Sequence, residues 1–469
     1  MLDPIIDAIN GVLWNYVLIY GLIAVGIYFT LRLRFIQFVH FGEMLRCTFG
    51  RTEKDADGIS PFQALSVSLA SRVGTGNIAG VAVAITLGGP GAVFWMWIVA
   101  LVGMATAYAE SALAQLYKVH GPHGMYRGGP AFYIANGLRL RWLAALFAVA
   151  LLISFGLVFE AVQANSIAEA WETFGVPRWV TGVSLAFFTA IIIFGGIPQI
   201  AKAAELIVPF MAGAYLLAAA WIFAANISEV PAVLGHIVRQ ALGLEPAVGG
   251  IAGGMAAAML NGVKRGLFSN EAGMGSAPNI AAVATPDPHH PAAQGFVQSL
   301  GVFIDTILVC TATAVMILLS GAVPSADLTG VALTQAALGE HFGPTGIYFV
   351  GLAILFFAFT SIIGNYAYAE NALVYLGFGD RGIFVLRLAV LGMVIWGALQ
   401  AVSTVFNFAD ASMGIMATIN LVAIVALSGI VTRITRDYVT QRRMGRRPEF
   451  HLSAHPQLAD RGVDKDIWR

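Results

Sequence analysis

Residues 71–80 read SRVGTGNIAG, and they interrupt a segment that otherwise has the composition of a membrane-spanning helix. The residues before the interruption are 59–70 (ISPFQALSVSLA), and those after it are 81–87 (VAVAITL). Glycine inside a helix costs about 0.5–1 kcal/mol relative to alanine. A charged side chain such as Arg72 at the centre of a bilayer costs at least about 2.5 kcal/mol. We therefore expect the chain to leave the helical conformation here for a functional reason.

The composition of the chain places it among integral membrane proteins. Of its 469 residues, 58% are hydrophobic and 11% are charged, and the mean hydropathy is +0.78. Soluble domains carry about 25% charged residues. The net charge is zero, and no dense basic tract indicates a nucleic-acid partner. The sequence contains no GxxxxGK[ST] motif, which would indicate a nucleotide-binding site. Cys47 and Cys310 are too far apart in the sequence for a metal-binding motif.

Eleven segments of the chain are long and apolar enough to span a membrane, since a spanning helix needs about 20 mainly apolar residues. Segments 7 and 9 are too long to be single straight helices. We number the segments in chain order: 1 (12–31), 2 (60–86), 3 (91–117), 4 (142–165), 5 (179–198), 6 (203–225), 7 (249–285), 8 (294–320), 9 (344–376), 10 (383–403) and 11 (410–432).

The distribution of lysine and arginine predicts the orientation of the chain. The tail after segment 11 is rich in arginine, so the positive-inside rule places it in the cytoplasm. Eleven spans then place the N-terminus outside, and only Arg178 and Arg239 fall on the outer side. We expect a multi-pass protein of the cell (inner) membrane, in contact with lipid and with a solvated basic tail. The sequence shows no evidence of an obligate protein partner.

Segments 2 and 7 share an unusual pattern. Segment 2 contains GTGNIA at 74–79, and segment 7 contains GMGS at 273–276 followed by NIA at 279–281. The two lie five segments apart and so run in opposite directions, which points to a transporter with inverted repeats and discontinuous helices. We therefore predict an all-α integral membrane protein with a five-plus-five inverted repeat. The expected parts are a first helix and loop (1–59), a first repeat (60–225), a second repeat (249–432) and a basic cytoplasmic tail (433–469).

A break in segment 2 offers two kinds of binding group. Backbone groups in hydrocarbon must be satisfied within a helix unless irregular backbone lines a protected cavity. The outer half-helix begins near Gly76, and its free N–H groups and positive dipole end suit a carboxylate. The inner half-helix ends near Val73, and its free carbonyl oxygens suit a hard cation such as Na⁺. The alternative is that the glycines only permit close packing of helices.

Four long stretches of the sequence resemble the alanine or glycine:cation symporter family. They are SLASRVGTGNIAGVAVAITLGGPGAVFWMWIVALVGMATAYAESALAQLY (68–117), GGPAFYI (128–134), NGVKRGLFSNEAGMGSAPNIAAVA (261–284) and FAFTSIIGNYAYAENAL (357–373). The resemblance extends from about residue 10 to residue 440. It implies uptake of small neutral amino acids such as alanine, glycine or glutamine, coupled to Na⁺ or in some members to H⁺. It also implies the leucine-transporter-like fold.

The resemblance further implies which residues form the substrate site. In the wider fold the N–H groups of the unwound helix hold the substrate carboxylate, and these correspond here to Thr75 and Gly76, with Asn77 beside them. The other implied substrate contacts are Gln163 (polar), Phe268 (an apolar wall), Ser269 and Asn270 (near the amino group), Ser361 and Asn365.

The resemblance also implies a sodium site between segments 2 and 9. The hydroxyl groups of Thr360 and Ser361 would complete it, together with the carbonyl oxygens of Ala70, Val73 and Phe357. Five oxygen ligands suit a hard cation. Judged from the residues alone, a Thr-Ser pair in a membrane helix more often bonds the carbonyl one turn back.

The chain departs from the family pattern at Asn365. Members with a narrow pocket carry tryptophan after TILG, whereas this chain carries asparagine after SIIG (361–364). The change enlarges the pocket and adds an amide that can form hydrogen bonds, which favours a substrate such as glutamine.

The sequence alone does not decide two further features of segment 7, namely where it breaks and which cation neutralises its carboxylate. The break fits either 266–269 or 273–278, and we favour the first. Glu271 is expected to be neutralised by Arg72 or by the pair Lys264 and Arg265, because an unpaired charge in a membrane is costly. Other carboxylates in or near segments could carry a proton: Glu110, Glu160, Glu205 and Asp305.

Two other classes of function fit the sequence less well. A membrane enzyme needs a nucleophile and a base, or metal ligands, at one depth, and the polar residues here are scattered. A channel usually repeats its filter around an axis of subunits, whereas this chain has two non-identical breaks. The sequence therefore favours a symporter that is not an enzyme, coupled to Na⁺ or alternatively to H⁺.

Overall fold

The computed structural model describes residues 3–50, 58–121, 124–245, 250–325 and 328–468. Most of these residues are helical, and one antiparallel hairpin pairs Val119–His120 with Tyr126–Arg127. Residue 249, the first residue of the expected second repeat, lies outside the described residues.

Eight helices in the described part of the chain are long and apolar enough to cross a membrane. They coincide with segments 1, 3, 4, 6, 8, 9, 10 and 11: Pro4–Arg32, Gly91–Leu116, Arg141–Glu172, Gly196–Ala225, Pro291–Ser320, Pro344–Tyr375, Asp380–Ala398 and Val402–Ala426. Segment 5 falls on a shorter apolar helix, Arg178–Ile193. The chain is therefore a multi-pass helical membrane protein, and the count of eleven spans stays a prediction.

Shorter helices connect or flank the apolar segments. They are Ile36–Val39, Phe41–Phe49, Pro130–Gly137, Val230–Ala241, Gly330–Phe342, Ser428–Arg443 and Pro456–Ala459, with a 3-10 turn at Leu452–Ala454.

Segment 2 is divided into two half-helices, Pro61–Arg72 and Gly76–Gly88. The first begins with a capping box, in which the Ser60 side chain accepts from the backbone of Gln63 and the Gln63 side chain accepts from Ser60. It ends at Arg72 because Val73 has a ψ of 80°, outside the helical range. The interruption expected within 71–80 is therefore present.

Segment 7 is interrupted after Asn270, at a different place from the one favoured above. Helix Gly250–Asn270 is continuous, residues 271–277 are not helical, and a short helix Pro278–Ala281 follows. Glu271, Gly273 and Gly275 have φ values of 56°, 87° and 84°, which end a right-handed helix. A break at 266–269 is wrong because the chain uses Gly266 for packing: a Cβ there would lie 2.5 Å from Val99 Cγ1 of segment 3.

Segment 9 forms one uninterrupted helix, Pro344–Tyr375. Segment 9 was expected to be too long for a single straight helix, and it forms a single helix without an interruption. Its glycines permit close approach to neighbours rather than a break. A Cβ on Gly364 would lie 2.9 Å from the backbone nitrogen of Ser71 in segment 2.

The tail after segment 11 is folded onto the protein. Trp468 is completely buried, and its indole N–H donates to the carbonyl oxygen of Leu116, at 3.2 Å. Lys118 Nζ lies 5.3 Å from the centre of the Trp468 ring, a distance at which a cation is attracted to an aromatic face. The expectation of a solvated tail holds for most of the arginines between residues 433 and 447, which are exposed. It is wrong for residues 450–468, where Phe450, Leu452, Leu458, Val463 and Ile467 are all buried.

Four of the five pairs of corresponding segments in the two expected repeats pack against each other. Segment 2 packs on segment 7, segment 3 on segment 8, segment 4 on segment 9 and segment 5 on segment 10. The two interrupted segments meet closely, since a Cβ on Gly76 would lie 3.0 Å from Ser269 Cα. This arrangement brings the breaks to one place in the interior.

The close approach of segments 2 and 9 predicts the effect of Gly364→Ala. Its added methyl group must push the backbone of Ser71 away, and overpacking typically costs about 1–3 kcal/mol. We expect a lower melting temperature of the purified protein. Gly392→Ala in segment 10 is the matched control, because no atom lies within 4 Å of the added Cβ. An equal effect of the two substitutions on the melting temperature would contradict this packing.

Candidate functional site

The break in segment 2 exposes two backbone N–H groups, and both are held by side-chain amides. Gly74 N donates to Asn77 Oδ1 at 3.0 Å and also to the carbonyl oxygen of Arg72 at 3.0 Å, and Thr75 N donates to Gln163 Oε1 at 3.0 Å. All five residues are buried. The resemblance implies that the N–H groups of Thr75 and Gly76 bind the substrate carboxylate, and of these two the Thr75 N–H is bonded to an oxygen atom of segment 4.

The glycines of this break are required by their surroundings. A Cβ on Gly74 would lie 2.1 Å from Ser361 Oγ and 2.9 Å from Gln163 Oε1. A Cβ on Gly76 would lie 3.1 Å from Phe268 Cδ1. The backbone of segment 2 is thus pressed against segments 4, 7 and 9 at once, as the close approach of a ligand to the backbone also requires.

The residues of the expected sodium site converge beside the break. Ser361 Oγ donates to the carbonyl oxygen of Ala70 at 2.8 Å and lies 3.1 Å from that of Phe357. Thr360 Oγ1 donates to the Phe357 carbonyl at 2.9 Å. Both hydroxyls therefore bond the carbonyl one turn back, as a Thr-Ser pair usually does, and Ser361 additionally reaches segment 2. Val73, the fifth residue of the set, is buried at the end of the same half-helix.

An aromatic wall stands beside the break in segment 2. The Phe268 ring stacks on Phe159 of segment 4 with centroids 4.8 Å apart, and its centroid lies 5.6 Å from that of Phe406 in the helix Val402–Ala426. Phe268 is buried, and Gln163 follows Phe159 by one turn of the same helix. The polar and apolar residues expected around a substrate are therefore neighbours.

Ser269 and Asn77 both contact a carboxylate that the sequence alone did not place at this site. Ser269 Oγ donates to Asp305 Oδ2 at 2.9 Å, and Asn77 Nδ2 lies 2.6 Å from Asp305 Oδ1. Asp305 belongs to segment 8. The only signal in the sequence was an acidic residue within an apolar segment.

Asn365 lies one turn after Ser361 and joins a polar network between segments 2 and 7. The Ser71 hydroxyl oxygen lies 2.6 Å from Asn365 Oδ1 and 2.7 Å from Glu271 Oε1. The other oxygen of Glu271 accepts from Ser276. Asn365 Nδ2 is buried and forms no hydrogen bond within the described part of the chain.

The cations near segment 7 have different partners from those expected. Lys264 Nζ lies 2.7 Å from Asp410 Oδ2, and Arg265 also pairs with Asp410. The possibility that these two cations neutralise Glu271 is therefore wrong, because a carboxylate of segment 11 satisfies them. Arg72 donates to the carbonyl of Gln298 at 3.2 Å, and its charge acts on Glu271.

The break in segment 7 is held by two residues whose role was not predicted. Glu110 Oε1 of segment 3 accepts from Gly273 N at 3.1 Å. Asn420 Nδ2 of segment 11 donates to Glu110 Oε2 at 2.7 Å and to the carbonyl oxygen of Gly273 at 2.9 Å. Glu110 thus has a structural partner, and nothing local in the sequence distinguishes Asn420.

Comparison with known proteins identifies the family. The profile of the sodium:alanine symporter family matches residues 1–452. The amino-acid carrier protein AlsT of Bacillus subtilis is 48% identical, over 97% of this chain and 96% of its own length. A Bacillus subtilis protein named "Probable sodium/glutamine symporter GlnT" is 46% identical, over 96% of this chain and 94% of its own. The sodium/alanine symporter AgcS of Methanococcus maripaludis is 40% identical, over 92% of this chain and 96% of its own.

The match with the family profile covers nearly the whole chain, as do the three relatives. The chain therefore belongs to the sodium:alanine symporter family, a family of membrane transporters rather than enzymes.

Proposed function

We propose that this protein is a Na⁺-coupled symporter that imports small neutral amino acids by alternating access. The observation that carries this proposal is the break in segment 2. It presents the N–H groups of Gly74 and Thr75 beside the oxygen atoms of Ala70, Phe357 and Ser361. One irregular backbone segment would therefore contribute to both a carboxylate-binding site and a cation-binding site. Family membership and the names of the sodium/glutamine and sodium/alanine relatives support the same function.

The architecture that we propose is the leucine-transporter-like fold with eleven spans. Segments 2–6 (60–225) and 7–11 (249–432) would form two inverted repeats, with the N-terminus outside and the C-terminus in the cytoplasm. The packing of equivalent segments on one another supports this arrangement. The two interrupted helices, one in each half, support it as well, because transporters bind substrate where such helices meet.

In the proposed cation site, Na⁺ would lie between segments 2 and 9. Thr360 and Ser361 would supply hydroxyl oxygens, and Ala70, Val73 and Phe357 would supply carbonyl oxygens. Ser361 Oγ already lies within 3.1 Å of both the Ala70 and the Phe357 carbonyl oxygens, and Thr360 Oγ1 lies 2.9 Å from that of Phe357. A cation between them would turn the hydroxyl lone pairs inward and replace the hydrogen bonds without large movement of the backbone.

In the proposed substrate site, the carboxylate would replace the amide oxygens of Asn77 and Gln163. The N–H groups of Gly74 and Thr75, with that of Gly76, would then bind the carboxylate at the positive end of the outer half-helix. Gln163 would be released to contact the substrate. Exchange of one oxygen acceptor for another leaves no buried donor unsatisfied, which keeps the free-energy cost of binding low.

A substrate bound in place of the two amide oxygens would contact both expected repeats. The substrate amino group would lie near Ser269 of segment 7, beside the ring of Phe268, while its carboxylate lies on segment 2. Na⁺ bound between segments 2 and 9 would favour the same shape of the break. Each ligand would then raise the affinity for the other by an equal factor, which is the basis of symport.

The choice of amino acid would depend on Asn365. Its buried side-chain amide has one hydrogen-bonding atom without a partner within the described residues, and the side-chain amide of a glutamine, which both donates and accepts, could bond to it. A pocket that hydrogen-bonds its substrate discriminates against analogues that lack the bonding group. We therefore propose glutamine as a substrate beside alanine and glycine.

The proposed cation site predicts the behaviour of the double variant Thr360→Ala with Ser361→Ala. The loss of two oxygen ligands should raise the Na⁺ concentration for half-maximal uptake by at least about tenfold, or about 1.4 kcal/mol. The order of preference among amino acids should stay the same. Uptake of labelled substrate into proteoliposomes at a series of Na⁺ concentrations measures both.

The matched control is Ser412→Ala with Thr418→Ala in segment 11, where both hydroxyls bond only the carbonyl one turn back. The control should keep the parental Na⁺ dependence. If the Thr360 and Ser361 variant also keeps it, the cation site lies elsewhere. Uptake of the parental protein under a pH gradient without Na⁺ would show that H⁺ is the coupling ion.

The proposed role of Asn365 predicts a change of preference in Asn365→Ala. Loss of one neutral hydrogen bond, worth about 0.5–1.5 kcal/mol, should weaken competition by glutamine about 3- to 10-fold. Competition by alanine should change little. Asn226→Ala is the control, because its amide only caps the helix Gly196–Ala225. Equal losses for glutamine and alanine would remove Asn365 from the pocket.

A further inference from the structure

A basic cleft of about 340 Å³ lies between the residues that follow segments 1 and 11, on the side that the proposed orientation assigns to the cytoplasm. Its lining includes no acidic residue and four arginines: Arg32, Arg34, Arg436 and Arg443. None of the four forms an ion pair within the described part of the chain, and Glu43 pairs with Arg46 and Arg442 instead. Four cations without a counter-ion favour an anionic ligand, and the guanidinium group is well suited to phosphate.

An apolar groove of about 450 Å³ lies between segments 1 and 11 themselves. Apart from Thr418, its lining residues are apolar or glycine: Val17, Leu18, Gly21, Val25, Leu421, Val422, Val425 and Ala426. No atom lies within 4 Å of a Cβ placed on Gly21, so the groove is open at this position. At the depth of a bilayer, an open apolar groove fits an acyl chain.

The groove and the cleft lie in line along the same pair of helices. Tyr28 Oη lies 2.8 Å from Ser428 Oγ, and one turn later in both helices Arg32 Nε donates to Thr432 Oγ1 at 2.9 Å. The helix from Val17 to Arg32 is about 22 Å long at 1.5 Å per residue. One leaflet of a bilayer with its headgroups is about 20–22 Å thick. The groove and the cleft together therefore match the length of one phospholipid.

The chain around the cleft has the character of a membrane interface. Phe35, Phe38 and Val39 are exposed beside the arginines. Arg34 and Phe35 have φ values of 56° and 57°, a conformation that non-glycine residues adopt rarely and that occurs often at ligand sites. Exposed apolar side chains next to cations fit contact with both acyl chains and headgroups.

We propose that the groove and the cleft bind one anionic glycerophospholipid, with an acyl chain in the groove and the phosphate on the arginines. Basic pockets between membrane helices on the cytoplasmic side bind anionic headgroups. A zwitterionic lipid would bring an ammonium group to four arginines, and a soluble phosphate would leave the groove empty. Segment 1 lies outside the two expected repeats, so the bound lipid would connect it to segment 11 of the second repeat.

Native mass spectrometry of the purified full chain in detergent tests this site, with phosphatidylglycerol and phosphatidylcholine of identical acyl chains as the probes. We expect one phosphatidylglycerol to bind at least about tenfold more tightly than phosphatidylcholine. Arg34→Gln with Arg436→Gln should weaken phosphatidylglycerol binding about 30-fold, because each arginine near an anionic lipid contributes about fivefold. The matched control is Arg433→Gln with Arg446→Gln, which removes two exposed arginines outside the cleft. It should keep the parental affinity.

A second pair of variants tests the groove with all arginines in place. Gly21→Phe should fill the groove and weaken phosphatidylglycerol binding about tenfold, the contribution of about two buried methylene groups. Gly392→Phe is its control, because Gly392 is an exposed glycine of segment 10 that also has no atom within 4 Å of an added Cβ. The control should bind the lipid with parental affinity.

Four results would overturn the proposal. They are equal affinity of the parental protein for the two lipids, an equal loss in the two arginine variants, and displacement of the lipid by an equal concentration of glycerol 3-phosphate, which would indicate a site for soluble anions. The fourth is conversion of a dimer to a monomer by Gly21→Phe with lipid binding unchanged, which would place a second copy of the chain in the groove. None of these measurements uses transport, so they are independent of the proposed function.

Discussion

The structure depends on the rule that backbone N–H and C=O groups in hydrocarbon need partners. An interruption of a membrane helix frees several of these groups at a depth where water is scarce. In segment 2 the freed N–H groups of Gly74 and Thr75 are satisfied by the amide oxygens of Asn77 and Gln163. In segment 7 the carboxylate of Glu110 satisfies a freed N–H group in the same way. Neighbouring segments must therefore pack closely against both breaks. For this reason both breaks are buried in the interior.

The same constraint makes the break in segment 2 suitable for exchange of ligands. A side-chain amide that satisfies a backbone N–H group can be replaced by a carboxylate without leaving the donor unpaired. The hydroxyl group of Ser361 can likewise turn from the carbonyl of Ala70 to a cation. Both proposed exchanges would need glycine at position 74, since a Cβ there would overlap Ser361 Oγ. The proposed function would thus use contacts that also stabilise the fold.

Much of the helical fold could be predicted from the sequence, because the length of an apolar segment is a local signal. Each of the eleven predicted segments falls on a helix or on two half-helices. The break in segment 7 was misplaced because a glycine used for packing, such as Gly266, looks the same in the sequence as one used for positive φ, such as Gly273. The partner of Lys264 and Arg265 was missed because Asp410 is distant in the chain. The burial of Trp468 was missed because charged neighbours conceal a sparse apolar pattern.

Accumulation of amino acid against its gradient tests the central claim of Na⁺-coupled symport most directly. Purified protein in proteoliposomes would be supplied with labelled glutamine, alanine or glycine, with and without an inward Na⁺ gradient. The account predicts that at least one of them reaches a higher concentration inside than outside only while the Na⁺ gradient lasts. Entry that stops at equal concentrations, with or without Na⁺, would contradict symport and indicate a passive pathway.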